Sequence, residues 1–68
     1  MIVKVEDIIK HEEYVQELPD GADIEALLQI MNYTDDEAYH MVNGKHVPRD
    51  FKLKNGDLVT IILALGGG

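Results

Sequence analysis

The chain has 68 residues, no cysteine and a net charge of −7. That length supports one domain with a small core. Without cysteine there is neither a disulfide framework nor a zinc-thiolate site to hold it, so apolar packing must do so, and 46% apolar residues are enough to build a core. An acidic chain repels phosphate backbones, which argues against nucleic acid. No apolar run approaches the roughly 18 residues of a membrane span, and no signal segment follows Met1. Together with the lack of cysteine this leads us to expect a cytoplasmic protein.

Residues 1–5 are rich in β-branched side chains. Val3 and Val5 share one face of a predicted strand; Ile2 and Lys4 share the other. Residues 6–12 read as a connection and residues 14–18 as a second strand. Pro19-Asp20-Gly21 then forms a turn, since Pro presets φ and Gly accepts positive φ. Ile24, Leu27, Leu28 and Met31 fall at helical spacing and make one apolar stripe. Asp23 is the expected N-cap, Glu25 suits the positive end of the helix dipole, and Asn32 ends the helix. Residues 34–37 form a polar loop.

Residues 39–42 read as a third strand. Asn43-Gly44 is a two-residue hairpin signal, because both central positions of a type I′ turn need positive φ. Residues 45–47 return as a short strand that Pro48 closes. Asn55-Gly56-Asp57 makes another turn and launches the last strand, residues 58–63. There Val59, Ile61 and Leu63 face one way, and Leu58, Thr60 and Ile62 the other. The first and last strands are the most apolar, which places them side by side in the centre of the sheet. The expected architecture is α+β: a ubiquitin-like β-grasp, with a mixed sheet of four to five strands packed on one helix. One domain covers residues 1–65, followed by a flexible glycine tail, residues 66–68.

The tail is the candidate for chemistry, the alternative being an idle, disordered end. Gly66-Gly67-Gly68 has no side chain to bury and is costly to order, so it is poor structural material. A tail without side chains can thread a narrow tunnel in an enzyme and present the α-carboxylate of Gly68. Elsewhere the sequence offers little. His11, His40 and His46 lack metal-ligand spacing, although His40 and His46 could meet across the Asn43-Gly44 hairpin; two imidazoles make a poor site, and no metal is expected. Thirteen acids single out no catalytic pair. Charge is divided along the chain: residues 1–37 hold eleven acids against Lys4 and Lys10, whereas residues 38–68 hold Lys45, Arg49, Lys52 and Lys54 against two acids.

Strand order and a Gly-Gly terminus together resemble the ubiquitin-like sulfur carriers of the ThiS and MoaD type. The segment from Val42 to Arg49, Val-Asn-Gly-Lys-His-Val-Pro-Arg, is similar to a hairpin common in ThiS-like carriers. Leu53-Lys54-Asn55-Gly56-Asp57-Leu58-Val59-Thr60-Ile61 resembles a segment shared by both groups, and Gly67-Gly68 matches the terminal pair. Length and the Val47-Pro48-Arg49 hairpin lean toward ThiS; Gly66 and the charged residues 6–13 depart from the usual pattern, as does the lack of prolines before the glycines from that of MoaD.

The resemblance implies a non-enzymatic protein co-substrate that binds no cofactor of its own. A partner adenylating enzyme of the ThiF/MoeB type would use ATP to activate the Gly68 carboxylate. A persulfide donor would convert it to a thiocarboxylate. A synthase, either thiazole synthase or the large subunit of molybdopterin synthase, would accept the sulfur. A ubiquitin-like protein modifier, with Gly68 joined to lysine, and a β-grasp interaction module with an idle tail are the alternatives. Ile2, Leu58 and Ile62, expected to face away from the helix, are candidates for partner binding with Leu65, Gly66 and Arg49; Gly67 must pass the tunnel with Gly68.

Overall fold

A computed structural model describes residues 1–33 and 38–63. The polar loop expected at residues 34–37, and Ala64, Leu65 and the three terminal glycines, lie outside the described residues. Five strands and one helix follow in the order β1 (Ile2–Asp7), β2 (Glu12–Glu17), α1 (Ile24–Ile30), β3 (Ala38–Val42), β4 (Lys45–His46) and β5 (Leu58–Leu63). The sheet order is β2-β1-β5-β3-β4. β1 and β5 are parallel neighbours in the centre, and every other pairing is antiparallel. This is the ubiquitin-like β-grasp.

The alternation of side chains decides which face meets the helix. Val3, Val5, Val59 and Ile61 are almost wholly buried and pack with Ile24, Leu27 and Leu28 of α1. Each such side chain contributes about 1.5–3 kcal/mol by leaving water. Ile2, Leu58 and Ile62 lie on the opposite face as expected: Ile2 and Leu58 are exposed and Ile62 is half-buried. Leu63 departs from expectation. It has the core-facing parity of Val59 and Ile61 yet is 54% exposed, because β1 pairs with β5 only as far as Ile61.

Local signals act where the sequence places them. The Asp23 carboxylate accepts the Ala26 N–H at 2.9 Å and caps α1. At the other end Asn32 has φ 62°. The Asn32 N–H donates to the Gln29 carbonyl and the Tyr33 N–H to the Leu28 carbonyl, a Schellman closure that points Tyr33 back at the sheet. Asn43 and Gly44 both have positive φ, as a type I′ turn requires.

The first strand is longer than expected. It runs through Asp7, and β2 begins at Glu12, so residues expected as a connection continue the ladder; only residues 8–11 turn.

Candidate functional site

Two ends of the sheet differ in kind. At the start of β5, the turn motifs are bound to one another. The Asn43 amide donates to Asp57 Oδ1 at 3.0 Å and its oxygen accepts the Leu58 N–H at 3.0 Å. Asp57 Oδ2 accepts the Lys54 N–H, and the Asn55 side-chain oxygen accepts the Ile2 N–H at 2.7 Å. The two Asn-Gly motifs that carry the family likeness are thus a structural clip: they fix the hairpin tip and the start of β1 to the root of β5.

The far end is where β5 leads toward the glycines. Here Asp7, 1% exposed, lies on the helix-facing side of β1 with Val3 and Val5. The Tyr33 hydroxyl donates to its carboxylate, 2.8 Å from Oδ2 and 3.0 Å from Oδ1, and the Lys10 N–H donates to Oδ1 at 3.0 Å. Lys10 Nζ sits 5.1 Å from the Tyr33 ring centroid, within cation–π range. Burial, then the hydrogen bond to Asp7 and that residue's charge, push the Tyr33 phenol well above its ordinary range. Tyr14, opposite Val5, is also raised, chiefly by burial and then by Asp7. Sequence reading missed this cluster. The signal was the spacing Val3, Val5, Asp7, which continues the buried face by one more step.

The outer face of the sheet is open. Ile2, Leu58, Ile62, Val15 and Tyr39 present apolar surface there, with Tyr39 directly across from Ile62 and Leu58 beside Lys4. A shallow groove of about 350 Å³ crosses it, lined among others by Lys4, Glu6, Glu13, Val15 and Leu58. It holds no convergent nucleophile, base and acid, so it offers a surface and not a catalytic pocket.

Arg49 is not part of that face. Its guanidinium grips Glu25 on the first turn of α1, Nε to Oε1 at 2.8 Å and Nη2 to Oε2 at 3.1 Å. This lies on the helix side, so the structure does not bring Arg49 together with Ile2, Leu58 and Ile62. The hydrogen bond from Arg49 holds the Glu25 carboxyl below its ordinary value of 4.5. A depressed carboxyl stabilises the fold above its unfolded value and loses that contribution as pH falls through the folded one. Arg49→Ala should therefore lower Tm at neutral pH and flatten its fall toward acid; an unaltered acid limb in a Tm-against-pH series would show that the pair is idle.

The histidines are also separated. His40 has core-facing parity and its Nε2 meets the Val47 carbonyl at 2.7 Å. His46, in register with Met41, is on the outer face with its ring edge-on to Tyr39 at 5.7 Å. They do not meet across the hairpin, and among the described residues no group of three metal-ligating side chains converges. No helix among the described residues is long and apolar enough to cross a membrane.

A central parallel pair, one helix across one face and an open opposite face define the class, and comparison with known proteins gives the family. The ThiS family model matches residues 3–68, and the chain belongs to the ThiS family. Among solved structures it is similar to a protein described as molybdopterin converting factor, subunit 1, from Pyrococcus furiosus: TM-score 0.79, 24% identity, 91% of this chain and 95% of that one covered. SAMP1 from Haloferax volcanii superposes with a TM-score of 0.78 at 10% identity, over 100% of both chains. At such identities these likenesses speak for the fold. No curated protein matches the chain. The family is one of small ubiquitin-like sulfur carriers, which in general act with adenylating enzymes and synthases and are not themselves catalysts.

Proposed function

We propose that the protein is a sulfur carrier of thiamin biosynthesis, with the carboxylate of Gly68 as its working group. The observation that carries this is the family match, which runs through the final glycines. A carboxylate is a poor acyl donor. On a ThiF/MoeB-type enzyme it attacks the α-phosphorus of ATP, pyrophosphate leaves, and the acyl-adenylate that results is a good donor. The terminal sulfur of a persulfide then displaces AMP, and reduction by a thiol leaves the thiocarboxylate. A thiazole synthase takes the sulfur and returns the carboxylate. The chain contributes reach and docking; proximity and stabilisation of the phosphates come from the partner.

A second reading is the small subunit of molybdopterin synthase, the kind of role named for the Pyrococcus furiosus protein whose fold this chain shares. It shares the activation step and differs in the acceptor. Restoring growth of a strain lacking its thiamin sulfur carrier, and not of one lacking the molybdopterin synthase small subunit, supports the first reading; the opposite pattern supports the second.

In this account the outer face docks on the adenylating enzyme through Ile2, Leu58 and Ile62, and Leu65, Gly66 and Gly67 follow Gly68 into its tunnel. Ile62→Asp should weaken binding roughly 30-fold, the ~2 kcal/mol of an interface hot spot. Because Ile62 points away from the core cluster, Tm should change little. Titration calorimetry and thermal melts check the two halves. Unchanged affinity would move the docking surface elsewhere. Arg49, paired with Glu25 on the helix side, would meet a partner away from this face.

A further inference from the structure

In a strand the N–H and C=O of one residue point to the same side, and the next residue points to the other. Two sets of bonds fix this alternation in β5. Leu58 points toward β3 and its hairpin: its carbonyl accepts the Asn43 N–H at 2.8 Å, and its N–H donates to the Asn43 side chain. Ile61 points toward β1, since its carbonyl accepts the Ile8 N–H at 2.9 Å. Two residues on, Leu63 must therefore direct its N–H and C=O to the β1 side.

β1 is no longer there. Its ladder with β5 ends at the pair Asp7–Ile61. The Asp7 carboxylate holds the Lys10 N–H, His11 takes φ 57°, and the chain turns back as β2 on the side away from β5. Ile62 and Leu63 keep β3 as neighbour through Tyr39 and Ala38. Among the described residues nothing accepts the Leu63 N–H or donates to its carbonyl from the vacated side. Ile8 and Leu63, 46% and 54% exposed, flank the gap.

We propose that this edge of β5 at Leu63 is a docking strip for an extended polypeptide segment of the adenylating enzyme, which takes the place β1 leaves and pairs with the Leu63 N–H and C=O by main-chain hydrogen bonds. The inference rests on the carrier reading and adds the backbone chemistry of the partner and the point where it engages. An unpaired edge gives affinity through the main chain, with little demand on side chains. Placed one residue before the segment that leads to the glycines, it would also set the register in which Gly68 enters the active site.

Amide hydrogen exchange on the full chain tests this, free and saturated with the ThiF/MoeB-type enzyme of the same organism. Free, Leu63 should exchange at least roughly ten-fold faster than Ile61 and Ile62, whose amides are inside the ladder; in the complex it should slow by about the same factor. A semisynthetic chain with an ester in place of the Leu63 amide should keep its Tm and raise the KM of adenylation about 2- to 10-fold, the range of one hydrogen bond. The same ester at Ile62, whose N–H faces β3, should lower Tm. Slow Leu63 exchange in the free protein, or unchanged exchange and KM in a system that adenylates the wild-type chain, overturns the strip alone. An enzyme that neither binds nor adenylates the wild-type chain overturns the carrier reading, and the strip with it.

Discussion

Deleting Gly67 and Gly68 should abolish ATP-dependent adenylation and leave Tm nearly unchanged. Among the described residues the buried cluster runs from Val3 to Ile61, and the two glycines have no side chain to add to it. Their loss draws the carboxylate back by about 7 Å, two residues of extended chain. In a reaction that depends on near-attack geometry, a misplacement of about 1 Å can already cost ~10²-fold. Gly67→Val should have a similar outcome for a different reason: the chain keeps its length, but a branched side chain must pass a tunnel shaped for none. Pyrophosphate exchange measures both variants. Full activity of Gly67→Val would mean an open site. Loss of folding on deletion would show that the glycines are structural.

Tyr33→Phe should cost about 1–3 kcal/mol, because it takes the hydroxyl from a carboxylate that is 1% exposed and leaves Asp7, among the described residues, with the Lys10 N–H alone. For a domain of this size each kcal/mol is worth roughly 4–8 °C in Tm. Replacing both partners with apolar residues, Asp7→Leu with Tyr33→Phe, should recover part of the loss, since the buried carboxylate goes with the hydroxyl. The alkaline limb gives an independent check. A phenol raised in the folded state stabilises the fold fully below its unfolded value of about 10, and that contribution is lost as pH rises through the folded one. Wild type should therefore lose stability above pH ~10, and Tyr33→Phe should lose less; Tyr14, raised as well, keeps the variant's limb from being flat. A denaturant titration in which Tyr33→Phe falls within ~0.5 kcal/mol of wild type would mean that water satisfies Asp7 equally well. Because the Asp7–Tyr33 contact sits where β1 turns away, this variant should also disturb the edge at Leu63.

Period and turn chemistry made most of the fold legible. The stripe Ile24, Leu27, Leu28, Met31 could only be a helix laid on a sheet. The two Asn-Gly pairs mark a hairpin and a strand start, and the facing of Ile2, Leu58 and Ile62 follows from alternation alone. What escaped depends on contacts distant in sequence. Asp7 reads as part of a charged connection until Tyr33, 26 residues away, supplies a hydroxyl for it. Arg49 reads as a surface cation until the chain wraps residues 49–53 around the start of α1, where Glu25 waits. The exposure of Leu63 cannot be read from its own strand, because it depends on where β1 stops. The histidines were misjudged by register: opposing His46 to Met41 puts it on the face away from His40. The tail is the reverse case. Its chemistry was read from the glycines and the family likeness, and its reactive atoms lie beyond the described residues.

The most direct test of the carrier reading is the intact mass of the protein purified from its native host with its partners. The account predicts a species heavier by one oxygen-for-sulfur exchange, located at Gly68 and lost on incubation with the accepting synthase. A Gly68–lysine adduct would instead make the protein a modifier, and a terminus that stays a carboxylate in the presence of ATP, adenylating enzyme and persulfide donor would contradict the account.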